Sequence, residues 1–313
     1  MPRPFVAIVG ATATGKTALA LALAERLDGE IVNADALQVY RGFDIGTAKP
    51  SAEERRRVPH HLLDILEPHE RWSAGEFARR ARAVIAEIEG RGRLPIVVGG
   101  SGLYLRALIE GISPVPPGDP ATRRALRERL AAEGLPALAA ELAQRDPETA
   151  ARLAPGDTQR VLRALEVALV SGAPLAVWIS RQPFGKERLS ATRIGLTLPR
   201  PVLYSRIADR VLRMVERGWV DEVAGLLARG GSDQPAFQAI GYRQLARHVL
   251  GEWPLDQAVA ETIQATRRFA KRQETWFRKE PDVTWFEAQD PDARIPEVVE
   301  LVVVSSGHGR AHA

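Results

Sequence analysis

The stretch Gly10-Ala11-Thr12-Ala13-Thr14-Gly15-Lys16-Thr17 constrains this chain more than any other. Its spacing, G-x-x-x-x-G-K-[ST], is that of a phosphate-cradling loop, provided a strand precedes it and a helix follows. Both flanks are present. Phe5 to Val9 (FVAIV) is a short apolar run of β-formers, and Ala18 to Leu27 (ALALALAERL) lacks Gly and Pro and is built of strong helix formers. The backbone supplies the chemistry. Glycines let the chain curl until successive N–H groups point inward, and the start of the helix adds positive potential there. Lys16 reaches the outer phosphate, and the Thr17 hydroxyl is a ligand for a Mg2+ bound to it.

Glu30-Ile-Val-Asn-Ala-Asp35 reads as a second strand running into a loop. In an open α/β sheet, ligands sit beyond the carboxyl ends of the strands. Asp35 at that place either faces the loop around Lys16 or caps a turn. Leu37 to Pro50 is rich in Gly and polar residues, so it is expected to lie outside the core. Glu53 to Arg57 is a charge run expected to be solvated. His60-His61 invites a metal reading but lacks a third ligand at metal spacing. Ser73-Ala-Gly-Glu76 is a capping box opening a helix. Ile96-Val97-Val98 is a buried strand, and Gly99-Gly100-Ser101-Gly102 is a second glycine loop opening another helix.

Strand patterns then stop. Ser113 to Pro120 reads as a linker, and Thr122 to about Val170 is helical throughout. Strand character returns at Arg193 to Leu198. The expected class is therefore α/β, with a core formed by residues 1–112 and 191–313 and an all-helical insertion at 113–190. Leu203 to Val223 reads as one amphipathic helix. Arg206, Arg210, Arg213 and Arg217 share a face of it, either solvated or binding an anion. Thr262 to Lys279 is expected to be a helix that mixes Arg267, Arg268, Lys271 and Arg272 with Phe269, Trp276 and Phe277. Cations interleaved with rings suit single-stranded nucleic acid, unless the rings are buried and the cations merely solvated. Residues 305–313 are expected to be a disordered tail.

Composition narrows the classes. Among 313 residues there is no cysteine, which excludes disulfides, thiolate metal sites and a sulfur nucleophile. Net charge is +4, a weak pointer to a polyanionic partner. No apolar run approaches the roughly 20 residues that span a bilayer. The N-terminus shows no signal-peptide pattern, so a cytoplasmic location without membrane association is expected.

Taken together, GATATGKT, NADALQVYRGFDIGTAKPS, HLLDI, VVGGSGLYLRAL, DTQRVLRALEV, AIGYRQL and TRRFAKRQETWFRK resemble, in order and spacing, the tRNA dimethylallyltransferase family. The resemblance runs from Phe5 to about Trp285. It implies a P-loop, nucleotide-kinase-like core with a parallel sheet, and an inserted helical domain that grips the anticodon stem-loop of tRNA. It implies Mg2+, with Thr17 beside it. It also implies transfer of a dimethylallyl group from dimethylallyl diphosphate to N6 of the adenosine just 3′ of the anticodon, in tRNAs reading codons that begin with U.

On this resemblance the loop Gly10 to Thr17, Lys16 and Arg210 hold the departing diphosphate. Asp35 takes the proton and Ser101 lines the channel of the flipped base. Asp35, Ala36, Leu37, Gln38 and Ser101 meet the RNA. So do Arg123, the segment Gln159, Arg160, Val161, Leu162 and Arg163, and the segment Gln238, Ala239, Ile240, Gly241, Tyr242 and Arg243. Lys271, Arg272 and Trp276 complete the RNA set. The sequence departs from the family at Ala36, where Ser is usual, and at Ser101, where Thr is usual. A small-molecule or nucleotide kinase using ATP, or an RNA-binding NTPase switch, would use the same phosphate loop. A monomer is expected.

Overall fold

The computed structural model describes residues 5–181, 188–290 and 292–306. They fall in two compact units, Met1–Ile109 with Leu189–Ala313, and Glu110–Arg188.

The first unit opens as β1 (Phe5–Gly10), α1 (Lys16–Arg26), β2 (Gly29–Asn33), α2 (Ala52–Arg57), β3 (His60–His61), α3 (Ala74–Gly90), β4 (Leu94–Val98) and α4 (Gly102–Glu110). The second holds α5 (Pro120–Arg145), α6 (Pro147–Arg152), α7 (Thr158–Ser171) and α8 (Leu175–Arg181). The first unit resumes with β5 (Ala191–Thr197), α9 (Arg200–Glu216), α10 (Trp219–Gly230), α11 (Tyr242–Val249), α12 (Leu255–Phe277), β6 (Val283–Glu287) and α13 (Ile295–Ser306).

The six strands form one all-parallel sheet in the order β3-β2-β4-β1-β5-β6. The alternation of β1 serves both faces. Val6 and Ile8 pack with Leu19, Leu23, Ile96 and Ile194 on one side. Phe5, Ala7 and Val9 pack with Phe77, Ile85 and Leu108 on the other. A strand buried on both faces must be apolar throughout, which is why FVAIV is legible as one. Because β4 lies between β1 and β2, the loops leaving the carboxyl ends of β2, β4 and β1 open side by side into one crevice. The second unit has its own core of Leu126, Leu138, Leu142, Val161 and Leu165.

Several expectations are corrected. The helix read over 203–223 is two, because Gly218 takes φ +92° between α9 and α10. Leu37 to Pro50 is not peripheral. Val39, Tyr40 and Phe43 are buried against Trp219, Phe237 and Tyr242, so a segment polar on average carries three anchors. At the start of α3 only half of the capping box forms. Ser73 Oγ accepts from Glu76 N at 3.1 Å, but the Glu76 carboxylate takes Arg79 and Arg80, which are stronger, charged partners. The helix expected to reach Lys279 ends at Phe277, leaving Arg278 and Lys279 beyond it. Of the expected tail, Ser305 and Ser306 end α13, whose Val298 and Val302 are buried. Residues 307–313 lie outside the described residues.

His60-His61 is the short edge strand β3, and His61 Nε2 lies 2.6 Å from Glu30 Oε2. Glu30 is almost fully buried and also receives Arg91 at 2.8 Å. Burial alone would raise its carboxyl, but the bonds from Arg91 and His61 hold it below the ordinary 4.5. A depressed carboxyl stabilises the fold above its unfolded value and loses that contribution as pH falls through its folded one. Glu30→Gln is therefore expected to cost about 1–2 kcal/mol at pH 7, with the deficit shrinking below about pH 4.5. Denaturant titration at pH 7 and pH 3.5 would check this, and an equal deficit at both would refute the charge-based account.

Candidate active site

The phosphate loop is strained in the way its spacing demands. Gly10 (φ +137°), Ala13 (φ +64°) and Gly15 (φ +94°) alternate with ordinary conformers, turning the chain into a concave nest ahead of α1. A Cβ on Gly10 would stand 2.5 Å from the Leu196 carbonyl oxygen, so β5 also requires glycine there. Thr14 Oγ1 and Lys16 Nζ both donate to the Ala11 carbonyl, at 2.9 and 2.6 Å. Thr12 N–H is spent on Gln273 Oε1 at 2.9 Å. Inward-facing amides must therefore come from Ala13 to Thr17.

A cavity of about 740 Å³ opens over this nest. Lys16 and Thr17 line it from α1, Asp35 to Gln38 from the exit of β2, and Ser101 from the exit of β4. Arg210 and Arg217 line it from α9 and the turn after it, Gln238 to Ile240 from the turn before α11, and Phe269 and Arg272 from α12. Six chain segments thus put cations, a carboxylate and a ring around one space.

The electrostatics follow from enclosure. Burial and the nearby Arg210 lower the Lys16 ammonium to about 7, and Asp35 works against them. Burial likewise holds the Arg210 guanidinium below its ordinary value, with Asp35 opposing and Arg213 reinforcing that shift. Two cations held in a cavity and opposed by one carboxylate are underneutralised, which is the condition for holding a polyanion. Asp35 Oδ1 accepts from Leu37 N at 2.8 Å, so one oxygen caps the turn while the residue still lines the cavity. Asp35 thus caps its turn and lines the cavity that Lys16 also lines.

The oxygen donors suit Mg2+. Thr17 and Asp35 line the same cavity, and among the described residues no group of three or more His, Cys, Asp or Glu could cage a metal. Mg2+ prefers one or two protein oxygens supplemented by water and substrate phosphates.

The remaining expected residues are placed less uniformly. Arg206 leaves the shared arginine face and binds the carbonyls of Ala288 and Gln289, at 3.3 and 2.7 Å. Gln38 spends its amide on the Thr47 and Ala48 carbonyls, at 3.0 and 3.2 Å. Ala239, Gly241 and Tyr242 are buried, while Arg243 is exposed. The Tyr242 hydroxyl donates to Glu222 at 2.5 Å. The Trp276 ring is pressed on Gly102 under the Arg106 guanidinium, which sits 4.9 Å from its centroid. Lys271 and Arg272 are exposed. Within the second unit, Arg123 and Arg163 both turn to the buried Glu166, at 3.1 and 2.9 Å. Gln159 and Arg160 are exposed there, Leu162 is half-buried, and Val161 is core.

Gln273 was not expected. It lines the cavity and bonds both the phosphate loop and the loop after β4, yet no short motif marks a lone glutamine inside a basic helix.

A family model described as IPP transferase matches residues 38–280. A tRNA dimethylallyltransferase from Syntrophobacter fumaroxidans is 50% identical over 297 residues, covering 95% of this chain and 87% of that protein. Among solved structures, a tRNA isopentenylpyrophosphate transferase from Bacillus halodurans is 41% identical with a TM-score of 0.71, covering 97% of each chain. A eukaryotic dimethylallyltransferase described as acting on tRNA is 26% identical with a TM-score of 0.78, covering 96% of this chain and 78% of that one. With a six-stranded parallel sheet, a phosphate nest and half-identity along almost its whole length, the chain belongs to the IPP transferase family, that of the tRNA dimethylallyltransferases.

Proposed function

We propose that this chain transfers the dimethylallyl group of dimethylallyl diphosphate to N6 of the adenosine 3′-adjacent to the anticodon, in tRNAs reading codons that begin with U. One observation carries the reading: a single cavity holds the phosphate nest with Lys16 and Arg210, and also Asp35 and the Gly100-Ser101 loop. A phosphoryl donor and a leaving diphosphate need the same cradle, and the family membership favours the latter.

The step forms a bond from the adenine N6 to the allylic carbon and breaks that carbon's bond to oxygen. The electron pair leaves with the diphosphate. Lys16, Arg210 and the amides of Ala13 to Thr17 neutralise the negative charge that grows on it. An adenine amino group is a feeble nucleophile because its lone pair is delocalised. The Asp35 carboxylate accepts its proton as the new bond forms. The base must leave its stack to arrive there, with Ser101 lining its channel. Thr17 would hold a Mg2+ through its hydroxyl, and that ion would supply further charge neutralisation to the diphosphate. The exposed cations Arg243, Lys271 and Arg272, with Arg160 of the second unit, meet the RNA backbone. No single helix among the described residues is long and apolar enough to cross a membrane. A cytoplasmic monomer fits a tRNA substrate.

Incubating the chain with tRNA, Mg2+ and dimethylallyl diphosphate should add C5H8 to one adenosine, read by mass spectrometry. Phosphate transfer from labelled ATP to a small acceptor, with no change in RNA mass, would replace this reading by the kinase.

Lys16 gives a pH prediction. A bound diphosphate raises its pKa above the free value of about 7. Affinity gained from the charged form is complete below about pH 7 and is lost as pH rises towards the bound-state value. Binding of dimethylallyl diphosphate should therefore weaken by up to about tenfold per pH unit above pH 7, with proton uptake visible by calorimetry at pH 8. A constant affinity from pH 7 to pH 9 would show that binding leaves the protonation of Lys16 unchanged.

A further inference from the structure

Gln273 sits on α12 with its side chain almost fully buried. Its Oε1 accepts from the Thr12 N–H at 2.9 Å, in the phosphate loop. Its Nε2 donates to the Gly100 carbonyl at 2.9 Å, in the loop after β4. One partner is a donor and the other an acceptor, so the amide's orientation is fixed by chemistry. Ionised glutamate would lack the donor, lysine the acceptor, and an apolar side chain both. The contact is also close. A Cβ on Gly100 would stand 2.1 Å from Nε2.

The two loops are the two ends of the reaction. One holds the leaving group and the other leads to Ser101 on the acceptor side. They leave neighbouring strands, β1 and β4, and the strand ladder reaches only as far as Val98. Past that point, among the described residues, no backbone hydrogen bond joins Gly100 or Ser101 to the phosphate loop, and Gln273 is the bridge. α12 is also the helix that exposes Arg268, Lys271 and Arg272. The same helix therefore presents a basic face outward and a single amide inward.

We infer that Gln273 is a positioning residue that sets the spacing between the diphosphate and the acceptor base. It touches neither reacting atom; it acts through the backbones of Thr12 and Gly100. Resting on the transfer reaction proposed above, this makes a specific demand on kinetics. A displacement between two separately bound partners is sensitive to their alignment, and a shift of about 1 Å costs on the order of 10² in rate. The affinity for each partner alone does not depend on that alignment.

The test compares wild type with Gln273→Met, which keeps length and removes both bonds, and with Gly100→Ala, which disrupts one bond from the other side. Single-turnover transfer at saturating dimethylallyl diphosphate and tRNA should fall by about 10² in Gln273→Met, and less in Gly100→Ala. The dissociation constant of each substrate alone should stay within about threefold, which is the scatter of a single surviving contact set. The double variant should be no slower than Gln273→Met, because both changes break one connection. A purely structural role would instead lower melting temperature and active fraction while leaving the rate per active molecule intact, and that result overturns the inference. So does a loss confined to diphosphate affinity. Should Gln273→Met fail to fold, Gly100→Ala with wild-type rate overturns it and with a reduced rate at unchanged affinities supports it. Wild type run alongside separates the two claims: absence of transfer there defeats the proposed reaction, whereas equal transfer in wild type and variants defeats only the role of Gln273.

Discussion

Asp35→Ala is expected to slow single-turnover transfer by about 10² to 10⁴, the usual worth of a positioned general base. Dimethylallyl diphosphate should still bind, since Lys16, Arg210 and the loop amides are untouched. Alanine also removes the oxygen that accepts from Leu37 N, so its loss mixes two causes. Asp35→Asn separates them. Asparagine retains an acceptor for Leu37 N but has no basic oxygen for the proton. If the carboxylate is the base, Asn should be nearly as slow as Ala. If Asn restores wild-type rates, Asp35 only shapes the turn and the proton goes elsewhere.

The second large effect is that of salt on tRNA affinity. Arg243, Lys271, Arg272, Arg278 and Lys279 are exposed in the first unit, and Gln159 and Arg160 in the second. With about six phosphates neutralised, log K should fall with log salt at a slope near −5, or on the order of 10³ in affinity between 50 and 200 mM. Filter binding of the anticodon stem-loop over that range would measure it. Changing Lys271 and Lys279 together to Gln should flatten the slope by about 1.5 to 2 without altering the transfer rate at saturation, because both are exposed and neither lines the cavity. A slope near zero would remove these segments from the footprint.

What was legible in the sequence was whatever depends on local spacing. The phosphate loop is identified by four positions and their flanks, and Asp35 by its place past a strand end. The all-parallel sheet follows from strands alternating with helices. What escaped depends on distant partners. Val39, Tyr40 and Phe43 sit in a polar segment, and only Trp219 and Tyr242, some two hundred residues away, make them core. Arg123 and Arg163 look like free cations until Glu166 is folded between them. β6 is short and lies at the edge of the sheet, where a strand need be apolar on one side only. Gln273 carries no motif because its meaning lies in two backbone groups, and backbone groups have no letter.

The segment from Gln38 to Pro50 is pinned by ion pairs and by Glu222. Lys49, with its side chain 1% exposed, ties Asp44 at 2.5 Å, Asp64 at 2.6 Å and the Tyr40 carbonyl at 2.8 Å. Glu222 receives the amides of Asp44 and Ile45 at 3.1 and 2.8 Å. The free energy of ordering these residues is thus spent during folding, before any polynucleotide arrives. A rim that is already rigid has little left to lose on contact. It can afford weak individual touches and still discriminate by shape, and its encounters should be fast to form and fast to break.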